Sequence, residues 1–230
     1  PGAEEWAGLV LSESYAVYGY GLTLEQMRWV ADYQALRGVN YLLPMAFYYD
    51  TSRGRFVGTM SHLGEGNPLW EHFDSLTDHV ATLSAAVRHS DLQVTVAIYW
   101  PIEAAWLGEE VAQAAWLCLR NLTDALERRQ VPFEFIDARS IENATVADGL
   151  MDTGGRLYST VIVPETPVLR SQTMAQLAQF RLRGGRVAFC TRVPEAAADL
   201  SGGERFREAL DALLAGAVKM DGARARVQMG

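Results

Sequence analysis

Basic side chains, cysteines and long apolar runs are all scarce in this sequence. Its 230 residues hold 20 Lys and Arg against 28 Asp and Glu, and the formal net charge is -8. Binding of DNA or RNA draws on clustered Lys and Arg that neutralise phosphates, so we expect no nucleic-acid partner. Apolar runs such as residues 39–47 fall far short of the roughly 20 residues that a membrane-spanning helix needs. We therefore expect a soluble protein without a membrane partner, and the cytoplasm is favoured.

The chain also lacks the short motifs that announce a metal, a dinucleotide or a thiol nucleophile. Its two cysteines, Cys118 and Cys190, fall in a predicted helix and a predicted strand, and we interpret them as small buried hydrophobic residues. No Cys and His cluster has zinc spacing. No Gly-x-Gly-x-x-Gly follows the strand predicted at residues 94–100. We expect no cofactor and no metal.

What is present is a regular alternation of strand and helix patterns. In the first ninety residues, an apolar run at residues 9–13 precedes a helix that starts at Thr23, because Gln26 stands at the capping-box spacing. Residues 39–47 predict a strand covered on both faces. A long polar loop over residues 50–67 then leads to Asn67-Pro68, which predicts the start of a helix that reaches about Arg88.

The second pattern is more complete and predicts a doubly wound parallel sheet. Its strands are expected at residues 94–100, 131–137, 159–165 and 186–190, with helices at about 109–129 and 171–182 between them. By analogy with flavodoxin-like folds, we expect the strand order 2-1-3-4. A last helix at about 204–214 and an edge strand in the tail, 217–230, complete the prediction.

Three segments carry a resemblance to a known class of enzymes: SESYAVYGYGLTLEQMRWVADYQALRGVNYLLPMAFYYD, NPLW and VTVAIYWPIEAAW. The first resembles the last strand–helix–strand segment of a (β/α)8 glycoside hydrolase barrel, in particular large bacterial enzymes similar to the family 106 rhamnosidases. In those enzymes a domain of the glutamine-amidotransferase-like or β-galactosidase-trimerisation type follows the barrel. The resemblance spans most of residues 9–195. It implies an incomplete barrel segment at residues 1–91, an appended α/β domain at 92–216 and a tail at 217–230.

The resemblance also implies a role for Glu13, because a catalytic Glu lies at the carboxyl end of a late strand in such barrels. Glu13 would be the base or nucleophile, and its alternative is a surface carboxylate bonded to local backbone. Glycoside hydrolysis usually takes two carboxyl groups, and the acid is missing from this chain. We therefore expect a fragment that is inactive alone. An upstream barrel segment, the second domain or another copy in a homo-oligomer would cover its exposed strand edges.

Further candidates for contact with a carbohydrate substrate come from aromatic and imidazole side chains near the predicted strand ends. Aromatic rings offer a flat apolar face to a sugar, although ordinary packing explains them equally well. The candidates are Tyr18, Tyr20, Tyr48, Tyr49, His62 and His72. Glu103 follows a strand end where open α/β sheets often hold ligands, and it is a weaker candidate. The competing hypothesis is a non-catalytic α/β scaffolding or oligomerisation module.

Overall fold

The computed structural model describes residues 8–50, 62–90 and 93–215, apart from the side chain of Tyr20. The chain divides into two compact units, residues 1–92 and residues 93–230. None of the helices within the described ranges is both long and apolar enough to cross a bilayer. The tail at 217–230, where the sequence predicts an edge strand, lies outside the described residues.

The first unit is a parallel strand pair joined by a helix. Strand β1 spans Leu11–Ser14, helix α1 spans Leu24–Ala35, strand β2 spans Tyr41–Pro44 and helix α2 spans Phe73–Arg88. Short 3-10 turns at Gly19–Gly21 and Trp70–His72 precede the two helices. Strands β1 and β2 run parallel, with Glu13 opposite Leu43. Within the described residues, the predicted order of strand, helix, strand and helix is confirmed, and most of the predicted loop at 50–67 lies outside them.

Helix α1 begins as its sequence predicts. The Thr23 hydroxyl accepts a hydrogen bond from the Gln26 backbone N–H at 3.2 Å, and the Gln26 side chain accepts one from the Thr23 N–H at 2.9 Å. This reciprocal pair satisfies two amide groups that the helix itself leaves unbonded. Beyond the helix end, Gly38 has a φ of +88°, a conformation that glycine adopts without steric cost.

The second predicted strand is shorter than its apolar run, and it is not covered on both faces. Only residues 41–44 pair with β1, and Tyr41 and Leu43 each keep close to half of their surface exposed. The described residues of this unit therefore do not cover the strand on both faces, and the cover expected from elsewhere stays a prediction. The reason is that β1 and β2 form a two-stranded sheet, and the described residues of the unit cover only one of its faces.

The core of the first unit lies between α1, α2 and the loops that follow the strands. It is formed by Tyr15, Leu22, Met27, Leu63, Phe73 and Leu76. Three of these, Met27, Phe73 and Leu76, lie on helices α1 and α2, where apolar residues at helical spacing share one face. Tyr15 and Leu63 come from loops, and no periodicity marks them.

The second unit is built on a four-stranded parallel sheet. Its strands are β3 (Val96–Tyr99), β4 (Phe133–Ile136), β8 (Thr160–Val163) and β10 (Arg186–Phe189). Their spatial order is β10-β8-β3-β4. Counted along the chain, this is the order 2-1-3-4 that the sequence analysis expects. Helices α4 (Glu109–Arg128), α6 (Ser171–Leu182) and α7 (Gly203–Leu214) surround the sheet, close to their predicted positions.

Helices cover both faces of this sheet, and alternate strand residues point to opposite faces. On one face Val96, Ile98 and Ile162 contact Leu119, Leu122 and Leu126 of α4. On the other face Ala97, Tyr99, Val161 and Val163 pack with Met174, Leu177 and Phe180 of α6 and with Phe206 of α7. The period-2 alternation of a strand therefore produces a three-layer α/β/α unit.

Several short elements between β3 and α7 are absent from the prediction. Helices α3 (Ile102–Trp106) and α5 (Ala138–Glu142) are single turns or little more. An antiparallel sheet of β5 (Thr145–Ala147), β6 (Leu150–Asp152) and β7 (Leu157–Tyr158) fills the connection from β4 to β8. A further pair joins β9 (Val168–Leu169) to β11 (Ala196–Ala197). Strands of two or three residues are too short to show a period in sequence.

Candidate functional site

Glu13 lies near the carboxyl end of β1 with its side chain exposed. Its neighbour Ser14 is buried, and the Ser14 hydroxyl donates to the Gln34 side-chain oxygen at 3.0 Å. Because successive side chains of a strand point to opposite faces, the burial of Ser14 turns Glu13 outward. The Met45 N–H donates to the Ser14 carbonyl at 2.8 Å, which extends the pairing of the two strands just past Glu13.

Tyr15 anchors the chain directly after Glu13, and it is a residue that sequence reasoning did not select. Its side chain is 1% exposed, and its hydroxyl donates to the Met27 carbonyl at 2.9 Å. Burial, and then the negative charge of Asp32, raise the pKa of Tyr15 to about 12. The backbone of Tyr15 has a φ of +73°, which L residues seldom adopt. Buried packing against α1 holds this turn, and so it holds the end of β1.

His62 forms the centre of a second group of side chains, after the end of β2. It is 6% exposed, and its Nδ1 accepts a hydrogen bond from the Tyr48 backbone N–H at 3.1 Å. Since a backbone amide is always the donor, Nδ1 carries no proton in this arrangement, and the neutral ring holds its proton on Nε2. His62 therefore presents an N–H donor on the far side of the ring.

Two features fix the position of the His62 ring. The buried Asn67 side chain donates to the His62 carbonyl at 2.9 Å and accepts from the Leu69 N–H at 2.8 Å. Gly64 lies against the ring so closely that a Cβ there would sit 2.6 Å from Nε2. Glycine at this position is thus required by the close approach of the imidazole.

Aromatic side chains surround His62 and reach the surface. The Tyr48 ring lies 5.7 Å from the imidazole, and the Phe47 ring meets it edge-on at 6.0 Å. Phe47 also contacts Trp70 edge-on at 6.1 Å, and these two side chains are 64% and 40% exposed. Tyr49 is fully exposed. The group formed by Phe47, Tyr48, His62 and Trp70, called the aromatic group below, offers apolar ring surface beside an N–H donor.

The structure brings some predicted site residues together and separates others. Tyr48 and His62 are in direct contact, as described. Tyr18 is 54% exposed at the start of the Gly19–Gly21 turn, and the side chain of Tyr20 lies outside the description. His72 directly precedes α2, its side chain is 60% exposed, and its Nε2 lies 3.6 Å from the Glu71 carboxylate. The contacts described for His72 therefore tie it to a neighbouring carboxylate and not to His62.

In the second unit, Glu103 is far more buried than its position after a strand end suggests. It is 1% exposed, and one carboxylate oxygen accepts a hydrogen bond from the Tyr99 hydroxyl at 2.6 Å. The other oxygen has no hydrogen-bond partner among the described residues. Burial, and then the charge of Glu103, raise the pKa of Tyr99. Glu103 follows β3, next to which the strand order reverses, where open α/β sheets hold ligands.

Metal-binding groups are absent from the described parts of both units. No cluster of three or more His, Cys, Asp or Glu side chains within residues 8–50, 62–90 and 93–215 has the arrangement of a metal site.

Comparison with solved structures shows a glycoside-hydrolase-like fold. The chain is similar to the rhamnosidase from Novosphingobium sp. PP1Y, with a TM-score of 0.63 and 13% identity over 91% of this chain and 20% of that one. It is also similar to the GH42 exo-carrageenase from Bacteroides ovatus, with a TM-score of 0.52 and 12% identity over 89% of this chain and 30% of that one. A GH42 β-galactosidase gives a TM-score of 0.50 and 14% identity, over 77% of this chain and 26% of that one.

The present chain thus spans less than a third of each of these enzymes. No protein-family model matches the chain, and no curated protein matches it. Identities this low establish the fold alone.

Proposed function

We propose that this chain forms the end of a glycoside hydrolase barrel together with the α/β domain that follows it, and that Glu13 is the base or nucleophile of the reaction. The observation that supports this most directly is the exposed carboxylate at the carboxyl end of β1, a parallel strand joined to β2 by a helical crossover. In (β/α)8 enzymes the active site lies at this end of the strands. The buried Ser14 and Tyr15 hold Glu13 in place.

The aromatic group supplies the surface on which a sugar would bind. Because β1 and β2 are parallel, the loops that follow both strands leave the same edge of the sheet, and Glu13 precedes one of them while Phe47 and Tyr48 lie in the other. Aromatic rings stack on the apolar face of a pyranose, and the His62 N–H suits a hydroxyl oxygen. Tyr18, Tyr20, Tyr49 and His72 remain proposed contacts around this surface.

Cleavage of a glycosidic bond takes a second carboxyl group as the acid. In the proposal this acid lies on an earlier strand of a longer polypeptide, which would also complete the barrel, since two strands cannot close one. The isolated 230-residue chain is then inactive. We propose a rhamnoside or a related sugar as substrate, with the family 106 type of barrel and a glutamine-amidotransferase-like or trimerisation-type appended domain, because the quoted segments resemble those enzymes.

The experiment compares Glu13→Gln with Glu25→Gln in the natural full-length gene product, assayed on a panel of nitrophenyl glycosides. Glu25 is an exposed carboxylate in the first turn of α1, so it controls for loss of charge near the same strand. Glu13→Gln is expected to lower kcat by roughly 10²- to 10⁴-fold, the contribution typical of a catalytic acid or base. Glu25→Gln is expected to leave kcat within twofold, and the 230-residue chain alone is expected to release no nitrophenol.

Two results would contradict the proposal. One is a Glu13→Gln enzyme that folds, by circular dichroism, and hydrolyses every active glycoside at the wild-type rate. The other is turnover by the purified 230-residue chain, which would mean that both carboxyl groups are already present in it.

An exposed apolar surface in the second unit favours a second function, that of a scaffolding or oligomerisation module. Trp106 and Trp116 are 70% and 59% exposed, and a groove of about 230 Å³ between α3 and α4 is lined almost entirely by apolar side chains. Exposed apolar patches of this kind mark interaction sites. Sedimentation velocity of the chain and of Trp116→Ser tests this function: a concentration-dependent oligomer that the variant loses would support it.

A further inference from the structure

The two cysteines of the chain lie side by side, which the sequence analysis did not anticipate. Cys118 is on α4 and Cys190 directly follows β10, yet the Cys118 Sγ lies 4.0 Å from the hydroxyl of Thr191, the residue next to Cys190, and the two thiols influence each other's pKa. Both are free thiols and both are partly exposed. The expectation that they are simply small buried hydrophobic residues is therefore wrong. The 71 positions between them conceal the contact in the sequence, and only the packing of α4 across the strand ends creates it.

Hydrogen-bond donors gather around one of the two sulfur atoms. The Glu165 backbone N–H donates to the Cys118 Sγ at 3.3 Å, and the Thr191 hydroxyl donates to the same atom at 4.0 Å. The nearby Cys190 thiol adds to the effect of these two donors on Cys118. Backbone and hydroxyl donors stabilise a thiolate, as they do other anions, so the negative charge of this pair belongs on Cys118 and the proton on Cys190.

The charges around the pair are consistent with that assignment. The hydrogen bond from Cys190 lowers the pKa of Cys118 to about 6, and the Glu165 N–H and Thr191 hydroxyl add to it, against the opposing effect of burial. The same hydrogen bond, with burial, raises the pKa of Cys190. The Glu165 carboxylate opposes the thiolate, but Arg192 lies 3.6 Å from that carboxylate and offsets part of its charge.

We propose that Cys118 and Cys190 are a site of reversible oxidation by hydroperoxides, in which Cys118 is the attacking thiolate and Cys190 the resolving thiol. This site is independent of the glycosidase proposal, since it lies at the ends of β8 and β10 and uses no residue of the aromatic group. Its substrate class is a small hydroperoxide, because both thiols are only partly exposed and the Cys118 Sγ lies against the Glu165 N–H and the Thr191 hydroxyl.

The chemistry balances as two successive displacements. The Cys118 thiolate attacks one peroxide oxygen, the O–O bond breaks, and the departing hydroxide takes a proton from solvent, leaving a sulfenic acid on Cys118. The Cys190 sulfur then attacks the Cys118 sulfur, the S–O bond breaks, and the departing hydroxide takes the Cys190 proton. Two thiols lose two electrons, one peroxide gains them, and two waters and one disulfide result.

The test treats the reduced 230-residue chain with hydrogen peroxide and follows its intact mass. Since the chain has only two cysteines, a monomer that loses two hydrogens and regains them with dithiothreitol must have joined Cys118 to Cys190. Cys190→Ser is expected to stop at the sulfenic acid, which dimedone traps, because the serine hydroxyl keeps a donor but cannot resolve. Cys118→Ser is expected to lose the rapid reaction altogether.

The rate comparison with the unfolded chain decides whether the site is specific. At pH 7 the lower pKa raises the thiolate fraction of Cys118 by almost 100-fold, and the weaker nucleophilicity of a more acidic thiol cancels most of that, which leaves roughly a threefold to sixfold advantage. Hydrogen peroxide should therefore oxidise Cys118 several-fold faster in the native chain than in the chain unfolded in urea. Equal rates, intermolecular dimers in place of the monomeric disulfide, or dimedone labelling of Cys190 in place of Cys118 would each overturn the proposal.

Discussion

Replacing Tyr15 by Phe removes one hydroxyl from beneath the strand that carries Glu13. That hydroxyl is buried and donates to the Met27 carbonyl at 2.9 Å. A hydrogen bond of this kind contributes about 1 kcal/mol to the free energy of unfolding. The variant is therefore expected to be less stable than the wild type by about 1 kcal/mol at pH 7.

The same hydroxyl makes the difference depend on pH, with a definite sign. The pKa of Tyr15 rises from 10.0 to about 12 on folding, so the folded state holds its proton more tightly than the unfolded state. The stability that this group contributes is complete below pH 10 and is lost as the pH rises through 12. A shift of two units corresponds to about 2.7 kcal/mol in total, of which about 1.4 kcal/mol is lost by pH 11. The gap between wild type and Tyr15→Phe should therefore close near pH 11.

The composition of the chain makes this measurement clean. It has one lysine, Lys219, and arginine stays protonated throughout, so tyrosines dominate the titration between pH 9 and 11. The buried Tyr99 and Tyr158 also have raised pKa values, but they are common to both proteins and cancel in the difference. Urea unfolding by circular dichroism at pH 7, 9, 10 and 11 gives the stability, and hydrogen exchange of the α1 amides reports on the first unit alone.

Tyr18→Phe is the matched control, because Tyr18 is 54% exposed and is not a partner in the hydrogen bond between Tyr15 and Met27. It is expected to change the stability by less than about 0.5 kcal/mol at every pH. A Tyr15→Phe deficit that stays constant from pH 7 to pH 11 would refute the reasoning, because it would mean that the folded chain does not hold the Tyr15 proton.

Two further predictions concern the His62 position and the second unit. Gly64→Ala places a Cβ 2.6 Å from the His62 Nε2 and should lower the free energy of unfolding by about 1–3 kcal/mol. Gly21→Ala places its Cβ in open space and serves as the control. Equal melting temperatures for the two variants would contradict the close packing of Gly64 against His62. Asp137 caps α5 by accepting from the Ser140 N–H at 2.7 Å, so Asp137→Ala should cost about 1 kcal/mol at pH 7. Hydrogen bonds from Ser140 lower the Asp137 pKa, so this stability is present above about pH 4 and is lost as the pH falls further; an unchanged deficit at pH 3 would exclude the charge as its cause.

The local parts of the fold could be predicted because their information lies within a few residues. The capping box of α1 needs only positions 23 to 26, and the helices of the second unit needed only their apolar period and glycine ends. The spatial order of the four central strands also followed, since parallel strands with helical crossovers allow few arrangements. Strands of two or three residues, such as β9 and β11, carry no such signal.

Only part of the candidate site could be predicted from the sequence. Glu13, Tyr48 and His62 stood out as residue types at predicted strand and loop ends. Tyr15 did not, because its importance comes from a hydrogen bond to a carbonyl 12 positions away and from its burial against α1. The requirement for glycine at position 64 could not be predicted either, because the sequence does not show that the His62 ring packs against this residue.

By itself, then, the sequence determined that the chain is an α/β protein with an acidic balance, two strand–helix patterns and a carboxylate at the end of its first strand. Periodicity, capping and charge are properties of neighbouring residues, and they act before any long-range contact forms. The tertiary structure alone decided that His62 lies against Tyr48, that Glu103 is buried beside Tyr99, and that Cys118 meets Cys190. Those pairings depend on how helices and loops pack across the ends of the strands, and packing brings together side chains whose separation along the chain has no fixed relation to their chemistry.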